Sequence, residues 1–276
     1  MRGGGNQHLE KHKTLLNFIA SHGYHAILLK DVSSNNPEWT ANQFKLAINE
    51  LKTIKGVNTD KFGIIGHSSG GGGAYAVMKK LKEAPNNYGS DKSFLISMDT
   101  WFAFKMNQQD LRDLSENTNV VLLQYGIGGN NMDPLPADSP FPNSNFSTDA
   151  LIPLTIYKYI SEAHPENTGY HVVPEASSAR GHLYLYDNFL PPENNGNNYA
   201  NMMYGLEPIG ALMEYTFEGG SLAAKQVAFR NELNQQVIEP LVSYSFKCKE
   251  NRFGIQTDDE GKLAPTDVKY CVTIPR

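Results

Sequence analysis

The stretch Phe62-Gly63-Ile64-Ile65-Gly66-His67-Ser68-Ser69-Gly70 decides the fold. Its first four residues form a short apolar run typical of a buried strand, and a helical pattern follows over residues 70–82. Gly66 and Gly70 stand two residues either side of Ser68. Because glycine has no Cβ, the backbones before and after Ser68 can pass close to each other. The pattern predicts a tight strand-to-helix turn that exposes the Ser68 hydroxyl above a sheet.

A glycine-rich phosphate-binding loop and a simple turn are the alternatives for this stretch. A phosphate-binding loop needs a Lys-Ser/Thr pair after its glycines, or a G-x-G-x-x-G frame, and neither is present. We therefore favour a nucleophile elbow, in which a strained turn presents a reactive serine.

Strand-like and helix-like segments alternate along most of the chain. Apolar runs of strand length occur at 24–29, 62–65, 94–98, 120–123 and 170–173. Apolar residues at steps of three and four predict helices at 7–20 (with Asn6 as N-cap), 40–55, 70–82, 150–162, 205–216 and 221–240. This order predicts an α/β fold with a mostly parallel sheet and helices on both faces.

One domain covering residues 1–276 is expected, because no repeat and no separating linker is visible. Residues 126–148 are crowded with Gly, Pro, Asn and Ser and predict a long loop inserted into this domain. Residues 191–201 form a second polar stretch, and residues 242–276 form a C-terminal tail.

The charge and hydropathy patterns exclude several classes of partner. The net charge is −5, from 24 basic and 29 acidic residues, and the basic residues are scattered. A nucleic-acid or anionic-lipid surface is therefore not expected. No apolar run approaches the roughly 18 residues of a membrane span, and Met1–Gly5 does not resemble an export signal. We expect a monomer that needs no metal or organic cofactor.

A serine nucleophile needs a histidine to take its proton and a carboxylate to orient that histidine. In this type of fold the order along the chain is Ser, acid, His. Of the three histidines after Ser68, His171 lies in a predicted strand and His164 closes a predicted helix. His182 follows the last strand next to a glycine and is the predicted base, the alternative being a surface loop histidine.

The acid is expected after the strand at 120–123, which leaves Asp133, Asp138 and Asp149. Asp149 directly precedes a predicted helix, whereas Asp133 lies closer to the strand. We favour Asp149, although a simple N-cap explains it equally well, and consider Asp138 the weakest choice.

Two backbone N–H groups must stabilise the oxyanion of the reaction. Ser69 follows the nucleophile and supplies the first. Gly5 lies in a glycine run before a predicted helix and is the candidate for the second, unless the run is a disordered terminus.

Taken together, Gly66–Gly73 and Ala20–Tyr24 resemble the α/β-hydrolase superfamily, in particular its dienelactone-hydrolase-like and cutinase-type lipase branch, which includes polyester hydrolases. The resemblance implies a serine hydrolase of carboxylic esters. It places Gly5 at the oxyanion position, where the family commonly has an aromatic residue. Asp99-Thr100-Trp101 is similar to the segment with the family's substrate-contacting tryptophan, so Trp101 is a candidate pocket wall or, equally, a core residue. The resemblance also supports Asp149 through an Asp-x-x-apolar-Pro pattern.

Cys248 and Cys271 are the only cysteines, and the resemblance implies that they form a terminal disulfide. A disulfide in turn implies secretion or a periplasmic location. Two reduced cysteines in a cytosolic enzyme are the alternative.

The family's sheet has a central strand between the segments equivalent to 25–29 and 62–65, and this chain has no residues for it. We expect N-terminal strands to be missing from this sequence, unless another segment fills the position.

Two rival functions remain open. One is a hydrolase of the same fold that cleaves another acyl bond, in a lactone, thioester or peptide. The other is a non-catalytic binding protein with a hydrolase fold.

Overall fold

A computed structural model describes residues 12–29, 36–54, 56–100, 103–124, 151–172, 205–229, 245–249 and 270–274. In these ranges the helices are α1 (Lys13–Ser21), α2 (Pro37–Leu51), α3 (Ser69–Lys82), α4 (Gln108–Ser115), α5 (Leu151–Ala163), α6 (Glu207–Phe217) and α7 (Leu222–Phe229). The strands are β1 (Lys61–His67), β2 (Lys92–Met98), β3 (Asn119–Gln124), β4 (Thr168–Val172), β5 (Ser245–Lys249) and β6 (Tyr270–Ile274).

The first four strands form a parallel sheet in the order β1-β2-β3-β4. Each crossover carries a helix, as parallel neighbours require. The predicted α/β architecture with a parallel sheet is therefore confirmed at this level. β5 and β6 pair antiparallel in a separate two-stranded sheet.

Alternate side chains along the strands pack into two separate hydrophobic cores, one on each face of the sheet. On β2, Leu95 packs into a core with α2 and α3, and its neighbours Phe94 and Ile96 pack into a core with α6 and α7. The same alternation separates Val120 from Val121 on β3. Near-continuous apolar runs in these strands reflect burial on both faces.

The predicted helices are present in the described ranges with shifted ends, while Asn6 and residues 7–11 of the first predicted helix lie outside these ranges. The helix expected at 40–55 is α2, and it begins at Pro37 because the Asn36 side chain accepts the backbone N–H of Trp39 and proline suits the first turn. α7 ends at Phe229 within the described residues, so the remainder of the helix predicted at 221–240 lies outside them. The loops predicted at 126–148 and 191–201 also lie outside.

Residues 24–29 do not form the strand that their apolar run predicts. Their side chains nevertheless alternate as strand residues do, since Tyr24 packs against one core while Ile27 and Leu29 pack against the other. Among the described strands, none pairs with β1 on the side away from β2.

α4 was not expected from the apolar pattern. Its signal is a capping box: the Asn107 side chain accepts the Asp110 N–H at 2.7 Å, and the Asp110 carboxylate accepts the Asn107 N–H at 3.1 Å. Only Leu111 and Leu114 of this short helix are buried hydrophobic residues, too few to produce a clear helical period.

None of the helices in the described ranges is long and apolar enough to cross a membrane.

Candidate functional site

Ser68 occupies the turn between β1 and α3 with φ 54° and ψ −129°. A non-glycine residue at positive φ is uncommon, and a conformation of this kind costs about 1–3 kcal/mol. Ser68 is half-buried, and helix α3 begins at the next residue. The strand-turn-helix geometry predicted from the sequence is therefore present, with the serine at its tip.

The glycine two residues before the serine allows this turn. A Cβ on Gly66 would lie 2.5 Å from the carbonyl oxygen of Gly70 and 2.9 Å from Cα of Gly71. These are backbone atoms, so no side-chain rotation could relieve the clash. The first turn of α3 therefore lies directly against the last residues of β1 only because position 66 has no side chain.

Hydrogen bonds hold the turn to the neighbouring strand. The Ser68 N–H donates to the Met98 carbonyl at 2.8 Å, which continues the ladder between β1 and β2 by one step. The Ser68 carbonyl accepts from Gly72 N–H at 3.0 Å and starts the hydrogen bonding of α3. Ser69, as the first helical residue, presents its N–H at the positive end of the helix dipole. That position suits an oxyanion donor.

Asp99 lies beside this turn at the end of β2. It is 1% exposed and also has a positive φ, of 43°. A buried tyrosine, Tyr170, lies near it, and a second buried tyrosine, Tyr75, lies near Tyr170. Burial raises the pKa of the Tyr170 hydroxyl on β4, and the negative charge of Asp99 adds to this rise. Burial also raises the pKa of Tyr75 on α3, whose hydroxyl lies near Ser97. Both phenols therefore remain neutral at physiological pH, and the Tyr170 hydroxyl lies close enough to Asp99 to respond to its charge.

Two of the three histidines that follow Ser68 in the sequence lie in described residues and contact nearby groups. His171 is buried in β4, and its Nε2–H donates to the Ala228 carbonyl at 2.7 Å. His164 lies at the end of α5, with Nδ1 3.5 Å from a carboxylate oxygen of Glu166. His171 thus lies in a strand and His164 at a helix end, as the sequence predicts.

The remaining predicted site residues lie outside the described ranges. They are Gly5, Trp101, Asp133, Asp138, Asp149 and His182.

Cys248 and Cys271 lie on β5 and β6, where the antiparallel register places them directly opposite each other. Directly opposed residues have Cα atoms about 4.5–5.5 Å apart, and a disulfide needs about 4.4–6.8 Å. The backbone register is thus compatible with the predicted bridge.

An apolar cavity of about 400 Å³ lies between residues 24–28 and β1. Side chains of α1 and α2 form part of its wall, including Leu15 and Phe44. It extends to Gly66 and His67, immediately before the turn, and Ser68 is not among the described residues of its wall. In the described ranges, no group of three or more His, Cys, Asp or Glu side chains could hold a metal ion.

No protein-family model, curated protein or solved structure matches this chain.

Proposed function

We propose that this protein is a serine hydrolase that cleaves carboxylic esters by acyl transfer. The backbone of Ser68 carries the proposal: a half-buried serine held at positive φ between a parallel strand and a helix N-terminus. Strained residues persist only where the surrounding structure holds them, and they concentrate at functional sites. The first backbone N–H groups of α3 lie directly after Ser68, where acyl transfer needs donors for an oxyanion.

In the proposed reaction, the Ser68 Oγ attacks the ester carbonyl carbon and its proton passes to His182. The bond from carbon to the alcohol oxygen then breaks, and His182 returns the proton to the departing alkoxide. Water hydrolyses the acyl-serine by the same steps and regenerates Ser68. Asp149 is the sequence-based choice for the carboxylate that orients His182.

The oxyanion is stabilised by the N–H of Ser69 and, in the sequence-based assignment, by that of Gly5. Removal of one such donor typically costs about 10²–10³ in kcat. Trp101 is proposed as a wall of the ester pocket, and the substrate is a small or polymeric ester.

We also propose that the sheet belongs to an α/β-hydrolase fold. The order β1-β2-β3-β4, all parallel, with the serine after β1, is consistent with that fold. In it, a further strand lies between the segments equivalent to 24–29 and β1. The apolar cavity occupies this position, between helices from both layers.

A secreted or periplasmic location is proposed together with the disulfide between Cys248 and Cys271. The direct opposition of the two residues in the hairpin supports it.

Labelling with a fluorophosphonate tests the proposed function. We expect mass spectrometry to find the label on Ser68, and hydrolysis of a short p-nitrophenyl ester that is lost in Ser68→Ala. The matched control is Ser90→Ala, since Ser90 is exposed and its hydroxyl only donates to Asp60 at 3.2 Å. A folded wild-type protein that takes up no label and hydrolyses no ester would favour the non-catalytic binding protein. Labelling without ester hydrolysis would favour another acyl bond.

A further inference from the structure

Asp99 and Ser68 both have a positive φ, of 43° and 54°. Four non-glycine residues in the described ranges have positive φ. Two of them, Asn87 and Lys105, are exposed and lie outside the helices and strands, where positive φ is less unusual than in a buried residue. Ser68 and Asp99 are the two that are not exposed. A strained backbone at a position that is not exposed is therefore found, in the described ranges, at the candidate nucleophile and at one buried aspartate.

The sheet register makes these two residues neighbours. β1 and β2 run parallel with His67 opposite Met98, so Ser68 and Asp99 are the next pair at the carboxyl edge. The Ser68 N–H bonds to the Met98 carbonyl, and the Asp99 N–H bonds to the Leu123 carbonyl at 2.8 Å. Adjacent strands are about 4.8 Å apart. The peptide unit that joins Met98 to Asp99 is thus hydrogen-bonded to both neighbouring chain segments, and Asp99 lies one strand away from Ser68.

The Asp99 side chain is buried at the carboxyl edge of the sheet. A carboxylate is costly to bury unless hydrogen bonds or charges compensate it. The buried hydroxyl of Tyr170 on β4 lies close enough for the charge of Asp99 to act on it, and the Tyr75 hydroxyl on α3 lies near Tyr170. These groups are buried between the sheet and α3, on the side where the helix begins next to Ser68.

From this geometry we propose that Asp99 is the carboxylate that orients the base of Ser68, in place of Asp149. The inference rests on the proposed function. Asp99 accepts the Nδ1–H of the base and stabilises the imidazolium that forms when Ser68 loses its proton; it does not itself gain a proton. It acts through the histidine and is a positioning residue. Because triad acids are recognised by geometry and not by sequence position, a carboxylate after β2 can serve as well as one after β3.

Three single substitutions test the assignment: Asp99→Asn, Asp149→Asn and Asp133→Asn. For Asp99→Asn we expect kcat/KM for a p-nitrophenyl ester to fall about 10³–10⁴-fold at neutral pH. We also expect the acid limb of its pH–rate profile to move to lower pH, because the imidazolium has lost its carboxylate. A purely structural aspartate would not move this limb. Asp149→Asn and Asp133→Asn should each stay within about tenfold of wild type.

The matched control is Asp60→Asn. Asp60 is exposed and precedes β1, at the opposite edge of the sheet from Ser68. An Asp99→Asn protein with near wild-type rates and pH profile would overturn the assignment, as would a large loss in Asp149→Asn or Asp133→Asn. If Asp99→Asn does not fold, Asp149→Asn and Asp133→Asn test the assignment instead. Full activity in both variants supports Asp99 as the positioning carboxylate, and loss of activity in either refutes that role.

Fluorophosphonate labelling of wild-type Ser68 separates this inference from the proposed function. Absence of label and of ester hydrolysis in the folded wild type would remove both. A labelled, active wild type combined with an active Asp99→Asn variant would remove only the role of Asp99.

Discussion

The backbone N–H of Ser68 donates to the carbonyl of Met98 at 2.8 Å. This bond extends the β1–β2 ladder past the last residue of β1 and fixes the turn to the sheet before helix α3 begins. A strained conformation at Ser68 can persist because the strand on one side and the helix on the other both hold it. The consequences for stability and activity can be measured.

Gly66→Ala is expected to be strongly destabilising. The new Cβ would lie 2.5 Å from the Gly70 carbonyl oxygen, and overpacking against backbone costs about 1–3 kcal/mol or more. Gly71→Ala is the matched comparison, because its nearest contacts are at 3.1 Å and alanine improves helix propensity by up to about 1 kcal/mol. Urea unfolding should rank Gly66→Ala well below Gly71→Ala. Equal stability of the two variants would contradict the close contact between β1 and α3.

The two histidines His182 and His171 should respond to substitution in opposite ways. His171→Phe removes the donor to the Ala228 carbonyl and is expected to cost about 1–3 kcal/mol of stability, with little change in kcat per folded molecule. His182→Ala should instead reduce kcat about 10³-fold or more with little change in stability. Thermal unfolding and ester hydrolysis, measured on both variants, check this. Loss of kcat in folded His171→Phe would argue against His182 as the base.

Lys82 should make stability rise with pH between neutrality and about pH 9.5. Burial lowers the pKa of its amine to about 8, although the amine donates to Ser93 Oγ at 2.6 Å and to the Asn117 carbonyl at 2.9 Å. The unfolded lysine binds its proton more tightly than the folded one. Protonation of Lys82 therefore favours the unfolded state. The free energy of unfolding rises as pH increases above about 8, where the folded amine loses its proton.

The measurement is the difference in unfolding midpoint between wild type and Lys82→Met, in urea at pH 7 and at pH 9.5. Wild type should gain stability relative to the variant at the higher pH. The comparison is Lys79→Met, which removes an amine of the same helix that pairs with Asp110; a gain confined to the Lys82 comparison assigns the effect to the Lys82 amine. A midpoint difference that does not change with pH would refute the prediction.

Cys248 and Cys271 are predicted to resist alkylation until a reductant is added. Their positions face each other across the β5–β6 hairpin, so a bridge would require little movement of the backbone. Mass spectrometry after iodoacetamide treatment, with and without reduction, counts the free thiols, and Cys248→Ser provides the reference with one thiol. Alkylation of both cysteines in the unreduced folded protein would exclude the bridge and remove the argument for an oxidising compartment.

The features predictable from the sequence are those recorded in local patterns. The turn at Ser68 was predictable because Gly66 and Gly70 stand at fixed offsets from it. The apolar runs of β2 and β3 were recognisable because both of their faces are buried. α4 carried a local signal too, the pair Asn107 and Asp110, which apolar periodicity does not detect.

Residues 24–29 show why the remaining features were not predictable. Their apolar run predicts a strand, but a strand exists only if a neighbour supplies hydrogen bonds, and an apolar cavity lies between them and β1. The proximity of Asp99 to Ser68 was not predictable for a similar reason. In the sequence it lies 31 positions after Ser68, and only the register of β1 against β2 makes them neighbours.

The sequence by itself determined the alternation of strands and helices and the strained turn that presents Ser68, because both depend on residues a few positions apart. The order of the strands, the two cores and the pairing of Ser68 with Asp99 were decided only by the tertiary structure. Which strands pair depends on segments that are far apart in the sequence and on burial of both faces of the sheet. A local sequence pattern therefore does not predict it.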